Sequence, residues 1–466
     1  MVTGADGTVP RPEAGGSGAI ESGVSPGRPM GSGVSPGQPM GSGASPGQPM
    51  GSGVSPGTQS APPRRPLRGV RVADLTRFVA GSQATMWLAA LGAEVVKVEP
   101  PAGDPYRAQG TERAGGESVL FMALNAGKRS VAVDFRDQAG REVMGRLLSR
   151  CDLLVENSRP GSLAAYGLDW ESVHRRFPRL VYGSISGYGD VGPEAGRGGF
   201  DLILQAESGV MSVTGSPQSG PVKVGAPFLD VGAGLSCAFG LLAGYIERLR
   251  TGTGCLVSAS LLEFGLAGLG TVLASVAVSG REPGLLGTHS PLFAPYGGFR
   301  TADGWLVMAG AGSEQMWRRA CEALSLADLP GDPRFADGAA RVAHRDELTS
   351  RIEAVLTRQP TEHWRRRLDA AGVPAAEVRG LAEVLGWPQV AALGSLQPQR
   401  AGPGGAGADG PGYQVVGPPF RLDRTVLTYP GPPPALGRDT RSVLAELGYP
   451  PDEITRLQDA GVVVAA

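Results

Sequence analysis

From about Pro66, short apolar runs bounded by turn residues alternate with longer stretches of helical periodicity. "GVRVADL" (69–75) predicts a buried strand, "GSQATMWLAALGA" (81–93) a helix stopping at Gly92, and "EVVKVEP" (94–100) a second strand. The rhythm returns in the strand "RSVAVDF" (129–135), the helix "DQAGREVMGRLLSRC" (137–151) and the strand "DLLVEN" (152–157). "GSLAAYGLDWESVHRRF" predicts helix in two pieces, and "RLVYGSISGYG" (179–189) a strand that runs into a Gly-rich turn. A long helix opening at Asp230, the strand "CLVSASL" and a further helix complete the series. Strand–helix–strand order implies a Rossmann-like α/β domain with a parallel sheet. No GxGxxG follows the first strand, which argues against a nicotinamide cofactor.

Near Gly287 the pattern changes. "HSPLFAPYGGFRTADGWLVMAGA" alternates like an antiparallel hairpin turning at "TADG", and helices are expected at 313–324, 340–357 and 361–371. "RAGPGGAGADGPG" (400–412) is expected to be a flexible loop, and "TRSVLAELGYPPDEITRLQDAGVV" a helix pair. Residues 1–62 are different again. The decapeptides "ESGVSPGRPM", "GSGVSPGQPM" and "GSGASPGQPM" repeat without an aromatic residue. They offer too little apolar surface to offset ordering entropy, so a disordered tail is expected.

Composition narrows the function classes. The chain has 466 residues, 43 basic and 44 acidic side chains and a formal net charge of −1, so no overall field favours nucleic acid or an anionic membrane. Cys151, Cys237, Cys255 and Cys321 include no CxxC pair and read as reduced thiols of a cytoplasmic protein. His174, His289, His344 and His363 are scattered, and neither set suggests a metal site. The apolar segments Val231 to Tyr245 and Leu256 to Val278 read as helices packed in a core rather than membrane spans; the second carries Glu263 and three glycines.

One carboxylate stands out. In "GAPFLDVGAGLSCAFGLLAGYIERLR" (225–250), Asp230 is alone among glycines, alanines and apolar residues. It can be an N-cap, accepting backbone N–H groups. It can also be an ionised, desolvated nucleophile, approached closely because Gly225, Gly232 and Gly234 bring no side chains. The helix start would hold it ionised, and N–H groups near Gly232 could stabilise an oxyanion.

Several stretches taken in order carry a resemblance. These are "LRGVRVADLTRFVAGSQATMWLAALGAEVVKVEPPAGDPYR" (67–107), "LNAGKRSVAVDFRDQAGREV" (124–143), "DLLVENSRPGSLAAYGLDWE" (152–171), "SISGYGDVGP" (184–193) and "FDLILQAESGVMSVTG" (200–215). From about residue 66 to 465 the chain resembles the class III CoA-transferases, which include formyl-CoA transferase, carnitine CoA-transferase and α-methylacyl-CoA racemase. The resemblance implies an interlocked homodimer. It also implies a large CoA-binding domain (63–285), a smaller α+β domain (286–400) and a C-terminal segment (401–466) that returns to the large domain. Asp230 occupies the place of the family nucleophile, and Asp201 that of a second acid beside it. Ala80, Val133, Arg136, Asn157, Ser158, Arg159 and Phe200 fall where the family holds CoA, with Lys128 and Arg129 adding charge or supporting the turn.

Departures from the family pattern matter. Val79 replaces a glutamine of formyl-CoA transferases, and Ala165 replaces a CoA-contacting arginine. Their four-glycine loop has no clear counterpart, "PYGGF" around Gly297 and Gly298 being nearest. These differences weigh against formyl or oxalate specificity. The racemase branch needs a histidine where this chain has Phe200, and His289 is a remote substitute. The expected activity is therefore CoA transfer from an acyl-CoA to a carboxylic acid, with CoA as substrate and no permanently bound cofactor. The alternatives are 2-methylacyl-CoA racemisation and a non-catalytic CoA-binding paralogue.

Overall fold

The structure is a computed structural model that describes residues 64–400 and 412–465. The expected tail and most of the expected 400–412 loop lie outside those residues. Strands β1 (Arg71–Asp74), β2 (Glu94–Glu99), β3 (Arg129–Val133), β4 (Leu153–Glu156), β5 (Val181–Ser186) and β6 (Leu256–Ser260) pair in parallel. The order across the sheet is β6-β5-β4-β1-β2-β3. Chain order thus runs outward from β1 on one side and then resumes on its other side with β4. That reversal opens a crevice beyond the carboxyl ends of β1 and β4, the place where open α/β sheets bind ligands.

Because side chains alternate along a strand, each strand supplies both faces of the sheet. On one face Val72, Val95 and Val155 pack with Ala84, Leu88 and Leu241 of helices α1 (Ala80–Ala90) and α5 (Phe228–Thr251). On the other, Ala73, Val96 and Leu154 pack with Val143 and Leu147 of α2 (Gln138–Leu148) and with Val443 and Leu457 from the C-terminal helices. Between α2 and α5 lie α3 (Trp170–Arg176) and α4 (Asp201–Glu207). The helix after β6 is broken at Leu269 into α6 (Leu261–Gly268) and α7 (Gly270–Ser279), bent by 67°.

Beyond residue 287 the expected hairpin is β7 (Tyr296–Arg300) and β8 (Trp305–Ala309), turning at 301–304, with β9 (Ala375–Glu377) added to β8. The helix expected over 340–357 is two, α9 (Gly338–Ala343) and α10 (Arg345–Leu356), following α8 (Glu314–Ala323) and preceding α11 (Thr361–Ala370). Phe299, Leu306, Trp317, Phe335, Ile352 and Leu368 form a separate core. At the C-terminus α12 (Thr440–Glu446) and α13 (Pro451–Asp459) lead to β10 (Val463–Val464), which pairs antiparallel with β3. The C-terminal residues thereby close the edge of the parallel sheet.

Candidate active site

The crevice at the strand ends holds two adjoining cavities. One, of about 740 Å³, is lined by Phe78 and Ala80 after β1, Tyr106 and Gln109, Asn157 to Pro160 after β4, Arg197 to Phe200, and Asp230. The other, of about 650 Å³, is lined by Arg77, Phe78, Pro100 to Ala102, Val133 to Arg136 and Asn157 to Arg159. Phe78, Asn157, Ser158 and Arg159 border both. Asp230, Ala80, Val133, Arg136, Asn157, Ser158, Arg159 and Phe200 therefore each border one cavity or the other, whereas Asp201, Lys128 and Arg129 border neither.

Asp230 is not the N-cap of its helix. Pro227 holds that position and Asp230 sits within the first turn. The cap comes from Asp201 on α4, whose Oδ1 accepts Leu229 N–H (2.8 Å) and Asp230 N–H (3.3 Å). Gln205 locks Asp201 in turn. Its Nε2 donates to Asp201 Oδ2 at 2.5 Å and its Oε1 accepts Val224 N–H at 2.8 Å. Gln205 escaped sequence reading, although its spacing of four from Asp201 on one helix is the signal that would have found it. The opening N–H groups of α5 are thus spent on Asp201. Gly232 lies a full turn inside the helix, where its N–H belongs to the helical ladder, so it offers no oxyanion donor. Its lack of a side chain is a packing need, because a Cβ there would collide with the Phe264 ring.

With the helix start occupied, Asp230 is not held ionised as the sequence suggested. Burial, aided by the neighbouring Asp201 charge, raises its pKa to about 7. Among the described residues, no side chain caps the start of α1. Its cap, Val79, makes no side-chain bond, and Ala80 opens the helix at the wall of the Asp230 cavity. A Cβ at Gly234 would strike the Ala80 carbonyl oxygen, so glycine at 234 lets α5 bring Asp230 close to that helix start.

The other expected residues have more specific positions. Val133 is fully buried at the end of β3. Exposed Arg136 pairs with Asp134 through two nitrogens, at 2.8 and 2.7 Å. Asn157 is turned to the protein rather than free for a ligand: its Oδ1 accepts Arg77 N–H (2.8 Å) and its Nδ2 donates to Arg77 O (2.7 Å). Ser158 N–H donates to Glu156. Arg159 has no side-chain hydrogen bond or ion pair among the described residues and borders both cavities. Arg197 lines the same cavity as Asp230, and its guanidinium is paired with Glu194 and Glu207. Phe200 is 67% exposed, its ring set edge-on to Phe78.

Lys128 and Arg129 support the fold. Lys128 is wholly buried and donates to Asp74 Oδ2, Ser82 O and Asn125 Oδ1 at 2.8–3.0 Å. Arg129 pairs with Glu94 and Glu446. Gly297 and Gly298 are buried on β7, where a Cβ would meet His289 and Thr288, so they form no loop over the site. His289 packs edge-on against Phe299 and borders neither cavity.

Comparisons with known proteins show the family. Residues 67–440 match the family described as CoA-transferase family III. The chain is 36% identical over 401 residues to succinyl-CoA:glutarate CoA-transferase of Mus musculus, covering 86% of this chain and 90% of the relative. It is 36% identical over 394 residues to succinate–glutarate CoA-transferase of Agrobacterium fabrum, covering 82% and 96%. A crystal structure of a CaiB/BaiF family protein from Brucella suis superposes with a TM-score of 0.71 at 33% identity, covering 82% of this chain and all of that one. On the family match and the relatives' identity and coverage, the chain belongs to CoA-transferase family III and is an enzyme of that class.

Proposed function

We propose that the protein moves CoA from an acyl-CoA to a carboxylic acid through an aspartyl-CoA thioester on Asp230. The observation that carries this reading is Asp230 itself, a carboxylate in no ion pair among the described residues, opening onto a cavity at the sheet reversal. Asp230 Oδ attacks the donor thioester carbon and the C–S bond breaks, giving a mixed anhydride and CoA thiolate. The thiolate attacks Asp230 Cγ and expels the donor acid as its carboxylate. The acceptor carboxylate then attacks the aspartyl thioester carbon, releasing thiolate and forming a second anhydride. The thiolate attacks the acceptor's acyl carbon, which yields the new acyl-CoA and restores Asp230. N–H groups at the start of α1 are suited to the oxyanions.

The relatives named for succinyl-CoA and glutarate suggest dicarboxylic acids as donor and acceptor, and Arg159, whose side chain has no hydrogen bond or ion pair among the described residues, is a cation suited to meet a distal carboxylate or a CoA phosphate. Val133 and Arg136 border the second cavity, which suits the nucleotide end of CoA. CoA is substrate here, with no resident cofactor. No histidine borders the Asp230 cavity among the described residues, so exchange of the α-proton of a 2-methylacyl-CoA lacks there the histidine that the racemase reading calls for.

An interlocked homodimer fits the surface of α5. By length and composition that helix could cross a bilayer, and 44% of its most apolar window is buried. Leu235, Phe239, Ile246 and Leu249 remain exposed along it, a stripe that a second copy would cover. Four free thiols fit a reducing, cytoplasmic setting.

The test is an assay of purified protein with several acyl-CoAs and carboxylic acids. Succinyl-CoA with glutarate should give glutaryl-CoA, and Asp230→Asn should give none. Tight CoA binding without transfer to any acid would instead indicate a non-catalytic paralogue.

A further inference from the structure

Phe78 has φ +59°, in the left-handed region that bulky residues avoid. The chain on either side leaves it little choice. Thr76 N–H and Oγ1 are held by Asp74, and Thr76 O accepts Lys97 Nζ at 2.9 Å. Arg77 is gripped at both its N–H and its carbonyl by the Asn157 amide. Val79 O accepts Gln83 N–H as α1 begins. With 76, 77 and 79 fixed, the turn falls on residue 78. Its half-buried ring borders both cavities and stands edge-on to Tyr106 (centroids 5.3 Å apart) and Phe200 (6.1 Å). Glycine would adopt this backbone without strain. The strain is therefore the cost of placing an aromatic ring at this point.

We propose that Phe78 is the partition between the two cavities, with Tyr106 and Phe200 as its flanks and the Asn157 amide as its anchor, and that it keeps water from the acylated Asp230. The proposal rests on Asp230 being the nucleophile. At the aspartyl-CoA stage either a carboxylate or water can attack Cγ. When water attacks, its oxygen bonds to Cγ, the C–S bond breaks, CoA leaves as the thiol with one of the water's protons, the other proton passes to solvent, and Asp230 returns as a carboxylate. The net result is acyl-CoA hydrolysis. A ring closing the gap around the pantetheine arm biases that competition toward transfer.

The experiment uses the full chain and the variants Phe78→Gly, Phe78→Leu and Asn157→Ala, with succinyl-CoA and glutarate. Free CoA and glutaryl-CoA are measured together. Separately, the rate at which a water-soluble carbodiimide and an amine label Asp230 without CoA is read by peptide mass mapping. Phe78→Gly suits its backbone, so its melting temperature should match or exceed that of wild type. Its ratio of free CoA to glutaryl-CoA should rise about tenfold or more, with Asp230 labelled several-fold faster. Asn157→Ala should shift both readouts in the same direction, and Phe78→Leu less than either. A Phe78→Gly protein that keeps the wild-type ratio and labelling rate would overturn the partition. Absence of transfer by wild type would overturn the nucleophile reading instead, and the labelling comparison would still decide whether Phe78 screens Asp230.

Discussion

Asp201 and Asp230 lie 29 positions apart in sequence and meet at one helix start, where Asp201 accepts the Asp230 backbone N–H. The isolation of Asp230 among glycines is legible in the sequence. The capping by Asp201 is not, because it depends on α4 folding back onto α5. The pair sets a pH dependence. The folded pKa of Asp230, about 7, lies above the ordinary carboxylate value, so the folded state holds this proton more tightly than the unfolded chain. Ionising it costs stability. The cost is absent below the ordinary carboxylate range, grows as pH rises, and is complete above about pH 7. Asp230→Asn should therefore raise stability at pH 8 by on the order of 2–4 kcal/mol, and hardly at pH 4, as measured by denaturant unfolding. As the proposed nucleophile Asp230 must be ionised, so wild-type kcat/KM should rise through about pH 7. Asp201→Asn keeps an oxygen for the two N–H groups but removes the charge, and should lower that midpoint by about one unit. A pH–rate profile with an unmoved midpoint would separate Asp201 from this role.

The strands and helices of the parallel sheet were legible because each is a buried run with the period of its element. "GVRVADL" and "DLLVEN" became β1 and β4. α4 went unread because only Leu204 and Gln205 are buried in its seven residues, too few to show a period. β10 has two residues and takes its identity from pairing with β3, more than 300 positions earlier. Contacts between elements were equally hidden. Gly234→Ala places a methyl against the Ala80 carbonyl, a backbone atom that cannot turn aside. It should cost about 1–3 kcal/mol and, by displacing the start of α1, lower turnover. Both are read from unfolding curves and steady-state rates. Lys128→Met leaves Asp74 buried without its nearest cation and should cost about 3–5 kcal/mol in the same unfolding measurement.

At the scale of the molecule, residues 294–373 carry their own core, while α12, α13 and β10 complete the large sheet from the far end of the chain. The change of pattern near Gly287 was visible in the sequence. The return of the C-terminus was known only through the family resemblance, since no periodicity states which edge a terminal segment will join. The exposed apolar stripe on α5 gives the proposed dimer a direct check. Phe239→Glu puts a charge on a residue 75% exposed in the single chain, so it should be harmless to a monomer and should break a dimer in sedimentation velocity. The most direct test of the central claim is to incubate wild-type protein with succinyl-CoA, trap with hydroxylamine and map the modified peptide by mass spectrometry. The account predicts a single hydroxamate, on Asp230, and none in Asp230→Asn. Modification at any other residue, or full transferase activity in Asp230→Asn, would contradict it.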